Sequence, residues 1–226
     1  MELTSPISDK RCSQLKGGWL KFSWSLSAIV VRRLSQQLMS FIHTKGTMNT
    51  QLLAPKAFKS SPSLQNSSWY KGILISQLAG QQDTGGDYDL VITQARKGTE
   101  PPPHVHSREN EFFYVLEGEL TGYVGTEVFE VETGAGLFLP KGVPHAVHFK
   151  SPVAKVLVLI TPGGFYSAVN EMNAPAQKME IPADEVFTYA TMDLTKTIEI
   201  FEKYGIHILS SEEIAQQMPQ FPLPAQ

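Results

Sequence analysis

Three histidines and one carboxylate stand at spacings that could close around a single metal ion. His104 and His106 are two residues apart, Glu111 follows five residues later, and His145 lies in the later run GAGLFLPKGVPHAVHF. Imidazole nitrogens and carboxylate oxygens are donors that divalent Mn, Fe, Co, Ni, Cu and Zn all accept. Side chains at i and i+2 of a β-strand share a face, so one strand can aim His104 and His106 at the same ion while Val105 turns away. Taken singly, each residue has an ordinary explanation: a hydrogen-bonded surface pair, a strand-end charge, a loop histidine after a Pro-Gly turn. Their joint occurrence at strand ends, between turn glycines, is what points to a metal. Two neighbours compete for the same roles. Glu109 lies closer to the histidines than Glu111, but sits in the polar turn 107–110 and is expected to face solvent. His148 lies three residues past His145, so it belongs to the opposite strand face and is expected behind the site or on the surface.

Strands must carry these residues. The run from Glu111 to Leu116 is aromatic and β-branched, and further strand-like runs cover 72–78, 88–95, 120–124, 127–131, 136–139, 146–149 and 153–160. Their short lengths and frequent turn signals predict an antiparallel barrel or jelly roll. After Thr161-Pro162-Gly163-Gly164 the pattern changes. Residues 165–172 and 194–204 read as helices, Gly205 as a stop for the second, and Ser210-Ser211-Glu212-Glu213 as a capping box for a short third. Phe201 and Tyr204 are read as packing residues. Phe113, Tyr114, Val115, Phe138 and Val147 are candidate walls for an apolar cavity beside the metal.

The spacing Gly98, five residues, His104-x-His106, four residues, Glu111, six residues, Gly118 resembles the first cupin motif. Gly134, five residues, Pro140-x-Gly142, two residues, His145 resembles the second. The 15 residues between Gly118 and Gly134 match compact single-domain cupins, and the resemblance spans roughly 70–165. One position departs: where the family often has Asn, this chain has Phe149, which is not a ligand position. The resemblance implies a mainly β single cupin with C-terminal helices, and one divalent metal held by His104, His106, Glu111 and His145. The stretch PPPHVHSRENEFFYVLEGEL is similar to single cupins of the quercetin 2,3-dioxygenase-like group. That implies oxygenation of a small phenolic or enol-type, flavonol-like substrate, with Glu111 as a catalytic proton acceptor. A non-catalytic metal cupin that binds a small ligand, and a metal-dependent isomerase, are the alternatives.

The rest of the chain bounds these readings. Its 226 residues suit one core with extensions, at 42% hydrophobic and 18% charged residues. The net charge of −3 gives no field for nucleic acid, and no apolar run approaches the ~20 residues of a membrane span. The single cysteine, Cys12, excludes an internal disulfide. Residues 1–47 carry seven Lys/Arg against Glu2 and Asp9, with frequent serine. They read as a disordered or misassigned extension, an organellar targeting segment, or a membrane-surface or partner helix, on an otherwise cytoplasmic protein. Residues 48–69 read as a lead-in, 70–165 as the barrel, and 166–226 as a helical extension. A homodimer and a small-molecule substrate are the expected partners.

Overall fold

A computed structural model of the chain describes residues 56–183 and 194–223. The basic segment 1–47 and the start of the lead-in lie outside the described residues. Two antiparallel sheets make up the domain. The larger contains, in spatial order, β11 (Ala174–Pro175), β1 (Ser67–Tyr70), β2 (Ile73–Ala79), β3 (Asp89–Arg96), β10 (Val153–Thr161), β5 (Asn110–Glu117) and β8 (Gly136–Leu139). The smaller contains β12 (Ile206–Ile208), β4 (His104–His106), β9 (His145–Phe149), β6 (Glu119–Val124) and β7 (Glu127–Glu132). The helices are α1 (Gln81–Thr84), α2 (Tyr166–Asn170), α3 (Thr195–Lys203) and α4 (Ser211–Gln217). Among the described residues, no helix is long and apolar enough to cross a membrane.

The mainly β architecture follows from alternation. In β10, Ala154, Val156, Val158 and Ile160 are buried while the residues between them are half-buried. They join Val91, Val115, Leu120, Leu139, Val147 and Phe149 from other strands in one core. Each of the Val, Leu, Ile and Phe side chains among them, taken fully out of water, contributes about 1.5–3 kcal/mol. Every predicted strand run is present to within two residues at either end. Four of these elements lie outside the sequence reading: β1, which opens in the segment read as lead-in, α1, β11, and β12, which follows the predicted helix stop. Gly118 has φ 90°, and a Cβ there would stand 2.9 Å from the Val153 carbonyl, so this tight turn excludes larger residues.

The C-terminal elements build a second layer. The predicted capping box is formed: Ser210 Oγ accepts from the Glu213 amide, and Glu213 accepts from the Ser210 amide. The outward side chain of Ala146 packs with Leu209, Ile214 and Met218 in a separate apolar cluster, so α4 covers the outer face of the small sheet. His148, on that same outer face, contacts the rings of Tyr123 and Phe221 and points away from the histidine group, as its spacing predicts.

His207 joins three of these elements. Its Nδ1 lies 2.7 Å from Glu202 Oε1 on α3, and its Nε2 lies 3.0 Å from Glu213 Oε1 on α4. Only the imidazolium can donate at both nitrogens at once. Its pKa is accordingly raised, first by the Glu202 bond and then, against a small burial penalty, by Glu213. A raised histidine pKa contributes stability that is fully present below the unfolded value of ~6.5 and is lost as pH rises through the folded value. Proton NMR titration should place the His207 transition above that of an unstructured histidine, and His207→Ala should remove this pH dependence from thermal unfolding. The group is half-exposed, so the effect will be small and weakened by salt.

Candidate metal centre

The three histidines come from the small sheet and the carboxylate from the large one. His104 and His145 are directly opposed across the β4–β9 pair, and His106 follows two residues along β4. Glu111 sits on β5 between Ile160 of β10 and Leu139 of β8. The ligating atoms of all four residues lie within 4.8 Å of one another. Two bonds of ~2.1 Å on opposite sides of one ion would span about 4.2 Å, so the widest pair needs to close by only a few tenths of an ångström.

Each imidazole is oriented by a bond to its rear nitrogen. His104 Nδ1 lies 2.8 Å from the Pro102 carbonyl, and His145 Nδ1 lies 3.0 Å from the Val143 carbonyl. A carbonyl only accepts, so each Nδ1 bears the proton and Nε2 presents a bare lone pair. His106 Nδ1 lies 3.3 Å from Glu109 Oε2. Among the described residues, the Nε2 atoms of His106 and His145 are buried and have no hydrogen-bond partner, although Glu111 Oε2 lies 3.8 and 3.3 Å from them. A buried, unpaired acceptor is costly. Two of them facing a carboxylate, each with its proton held on the far nitrogen, fit the donor set of a divalent transition metal.

The electrostatics suit a cation. Burial pushes His104 down to about 3, and the neighbouring imidazoles of His145 and His106 add to the shift. Burial would lower His106 as well, but the Glu111 and Glu109 carboxylates outweigh it and raise the group. Burial would raise Glu111; the imidazoles of His106, His145 and His104 reverse this and hold it at about 2. Glu111 is therefore a carboxylate throughout the neutral range.

Two expectations are corrected here. Glu109 does not face solvent: it is 5% exposed and backs His106. The turn that holds it is fastened to the distant α3–β12 junction, where Ser107 Oγ donates to the Gly205 carbonyl and Arg108 donates to the Lys203 carbonyl. Gly205 has φ 82°, and a Cβ there would stand 2.5 Å from Ser107 Oγ, so glycine is needed for this contact. Among the five proposed wall residues, Phe113 and Val147 line the cavity beside the histidines. Tyr114 and Phe138 instead point outward from the large sheet, and Val115 is buried in the core away from the cavity. Phe201, read as packing, lines the cavity together with Phe165.

These findings predict a measurable role for Glu109. Carboxylates behind metal-ligating histidines typically carry ~10–100-fold in metal affinity. Glu109→Ala should weaken binding by about that factor in a competitive chelator titration, and Glu109→Gln, which keeps an acceptor oxygen, should lose less. Equal affinity in all three proteins would show that His106 needs no such support.

Comparison with known proteins identifies the domain in which this group lies. The sequence model of the cupin domain family matches residues 91–161, which span β3 to β10 and include all four residues. The chain carries a cupin domain. Quercetin 2,3-dioxygenase of Bacillus subtilis (strain 168) is 25% identical over 107 residues, covering 47% of this chain and 32% of that enzyme. The match thus spans about a third of the length of that curated relative. Similar solved structures include KdgF from Halomonas sp., at 22% identity and a TM-score of 0.38 over 41% of this chain and 82% of that one. An RmlC-like cupin from Shewanella frigidimarina is 21% identical, with a TM-score of 0.41 over 47% of this chain and 93% of that one.

Proposed function

We propose that the cupin domain binds one divalent transition metal through His104, His106, Glu111 and His145, and uses it with dioxygen to oxidise a small phenolic or enol-type molecule. The observation that carries this reading is the pair of buried Nε2 atoms of His106 and His145 that face Glu111 and, among the described residues, have no hydrogen-bond partner, with His145 and Glu111 at the end of an apolar cavity. When bound, the ion supplies Lewis acidity and open positions for further ligands. Pro102, Val143 and Glu109 hold the imidazoles in the tautomer that faces the centre. Glu111, kept ionised by its histidine neighbours, is placed to accept the proton of a substrate hydroxyl. A substrate that displaces water deepens the burial of this carboxylate, which favours its protonated form. Phe113, Val147 and their neighbours keep bulk water from the reacting end. The likeness to a quercetin dioxygenase supports the choice of dioxygen as oxidant.

Metal analysis of the purified chain, followed by oxygen-electrode assays on a panel of phenols and enols with and without air, tests the reading. Oxygen uptake that requires both metal and substrate is the expected result. Reversible binding without oxygen uptake would instead establish a ligand-binding cupin, and anaerobic turnover an isomerase.

The same reading includes a homodimer. Phe112, Tyr114 and Phe138 are 41, 39 and 54% exposed on the outer face of the large sheet, and Phe112 and Phe138 are register partners. An apolar sheet face of this kind is suited to a second copy. Light scattering at micromolar concentration should give twice the mass of the 25.0 kDa chain, and Phe138→Lys should return the monomer mass.

A further inference from the structure

The cavity behind the histidines is small and chemically one-sided. Its volume is about 120 Å³. An apolar protein cavity of about 150 Å³ accommodates benzene, whereas a flavonol has three rings and roughly three times that bulk. One end is formed by His104, His145 and Glu111. The opposing walls include Ile73, Ile75, Val91 and Val158. Thr93 also borders the space, but its hydroxyl is directed to the Val156 carbonyl at 3.4 Å. The residues after the barrel supply a further wall. The Phe165 ring stands 5.1 Å from the His106 ring and 6.5 Å from the Phe201 ring of α3.

We propose that this cavity selects molecules of a single ring, or equal bulk, with their oxygen atoms gathered at one edge, and that Phe165 and Phe201 set the size limit. The orientation of the oxygen-bearing edge rests on the metal-centre reading; the size limit does not. A second ring would have to lie in the cavity's opening or displace the Phe165 and Phe201 rings that border it. A hydroxyl on the side of the ligand that faces Ile73, Ile75, Val91 and Val158 would lie against aliphatic carbon, which weakens binding about tenfold or more. The C-terminal segment is therefore part of the recognition surface, and Phe201 acts on substrate size and not on the reaction itself.

The size limit is tested on the full-length, metal-free chain with toluene and naphthalene, which need no metal, by ligand-detected NMR titration. Toluene should bind saturably, and naphthalene at least about tenfold more weakly. Phe201→Ala should narrow that ratio about tenfold. Phe165→Leu, a milder change at a half-buried position, should narrow it in the same direction should the first variant fold poorly. The orientation is tested with the Zn(II)-loaded chain by calorimetry. Catechol should bind about tenfold more tightly than 2,3-dihydroxynaphthalene, with quercetin weaker still, and catechol should lose affinity when the zinc is removed. Naphthalene binding as tightly as toluene, quercetin binding as tightly as catechol, or no binding by any probe would each overturn the inference. Failure to take up zinc, with the toluene preference intact, would overturn only the metal-centre reading and the orientation that depends on it.

Discussion

A His104→Ala/His145→Ala double variant should contain almost no metal, where the parent chain should contain about one ion per subunit. These two residues face each other across β4 and β9 and supply half of the converging donors. The pair that would remain, His106 and Glu111, comes from opposite sheets and offers one nitrogen and one carboxylate. Tight sites for transition metals generally need three or four protein ligands. Elemental analysis after dialysis against a weak chelator provides the measurement. Thermal unfolding supplies an independent readout, because a metal that binds the native state raises its midpoint by mass action. That metal-dependent rise should be present in the parent and absent from the variant. Equal metal content in the two proteins would rule out this group as the metal site.

Glu111→Gln should lower turnover by ~10²–10⁴-fold while reducing metal content far less. The substitution keeps the size of the side chain and an acceptor oxygen, so the buried space between Ile160 and Leu139 stays filled. It removes the negative charge and the ability to take up a proton. Three oriented imidazoles remain to hold the ion, because their supporting bonds to Pro102, Glu109 and Val143 do not involve Glu111. Single-turnover oxygen consumption, normalised to bound metal, separates the two effects. A variant that loses metal and activity in equal proportion would show that Glu111 acts as a ligand and has no part in proton transfer.

Much of the fold was legible because short apolar, β-branched and aromatic runs are set off by turn residues. The β10 run from Val153 to Thr161 and the β5 run from Asn110 to Glu117 carry enough apolar residues to announce strands, and turn glycines bracket them. The same runs did not reveal which way each residue points, because both faces of β5 are apolar. Phe113 turns to the cavity while Phe112 and Tyr114 turn outward, and only the pairing with β8 and β10 decides between them. The four converging residues were legible from spacing. The burial of Glu109 was not. Its neighbours Ser107, Arg108 and Asn110 are all polar, and what encloses the turn is a contact with residues some hundred positions away. The roles of β12 and of Phe201 were hidden for the same reason. A three-residue strand has too little pattern to detect, and an aromatic residue on an amphipathic helix looks alike whether it fills a core or borders a cavity.

The pairing of β4 with β12 has a consequence for how the protein is made. Strand β4, which carries His104 and His106, meets β9 at a single residue pair and meets β12 at three. The strand with which it pairs most is therefore translated about a hundred residues after it, at a synthesis rate of roughly 5–20 residues per second. A nascent chain that has already produced both sheets' remaining strands still holds His104 and His106 on a strand with one free edge. The last strand to leave the ribosome is thus the one that closes the edge of β4, well after His104, His106, Glu111 and His145 have all been translated.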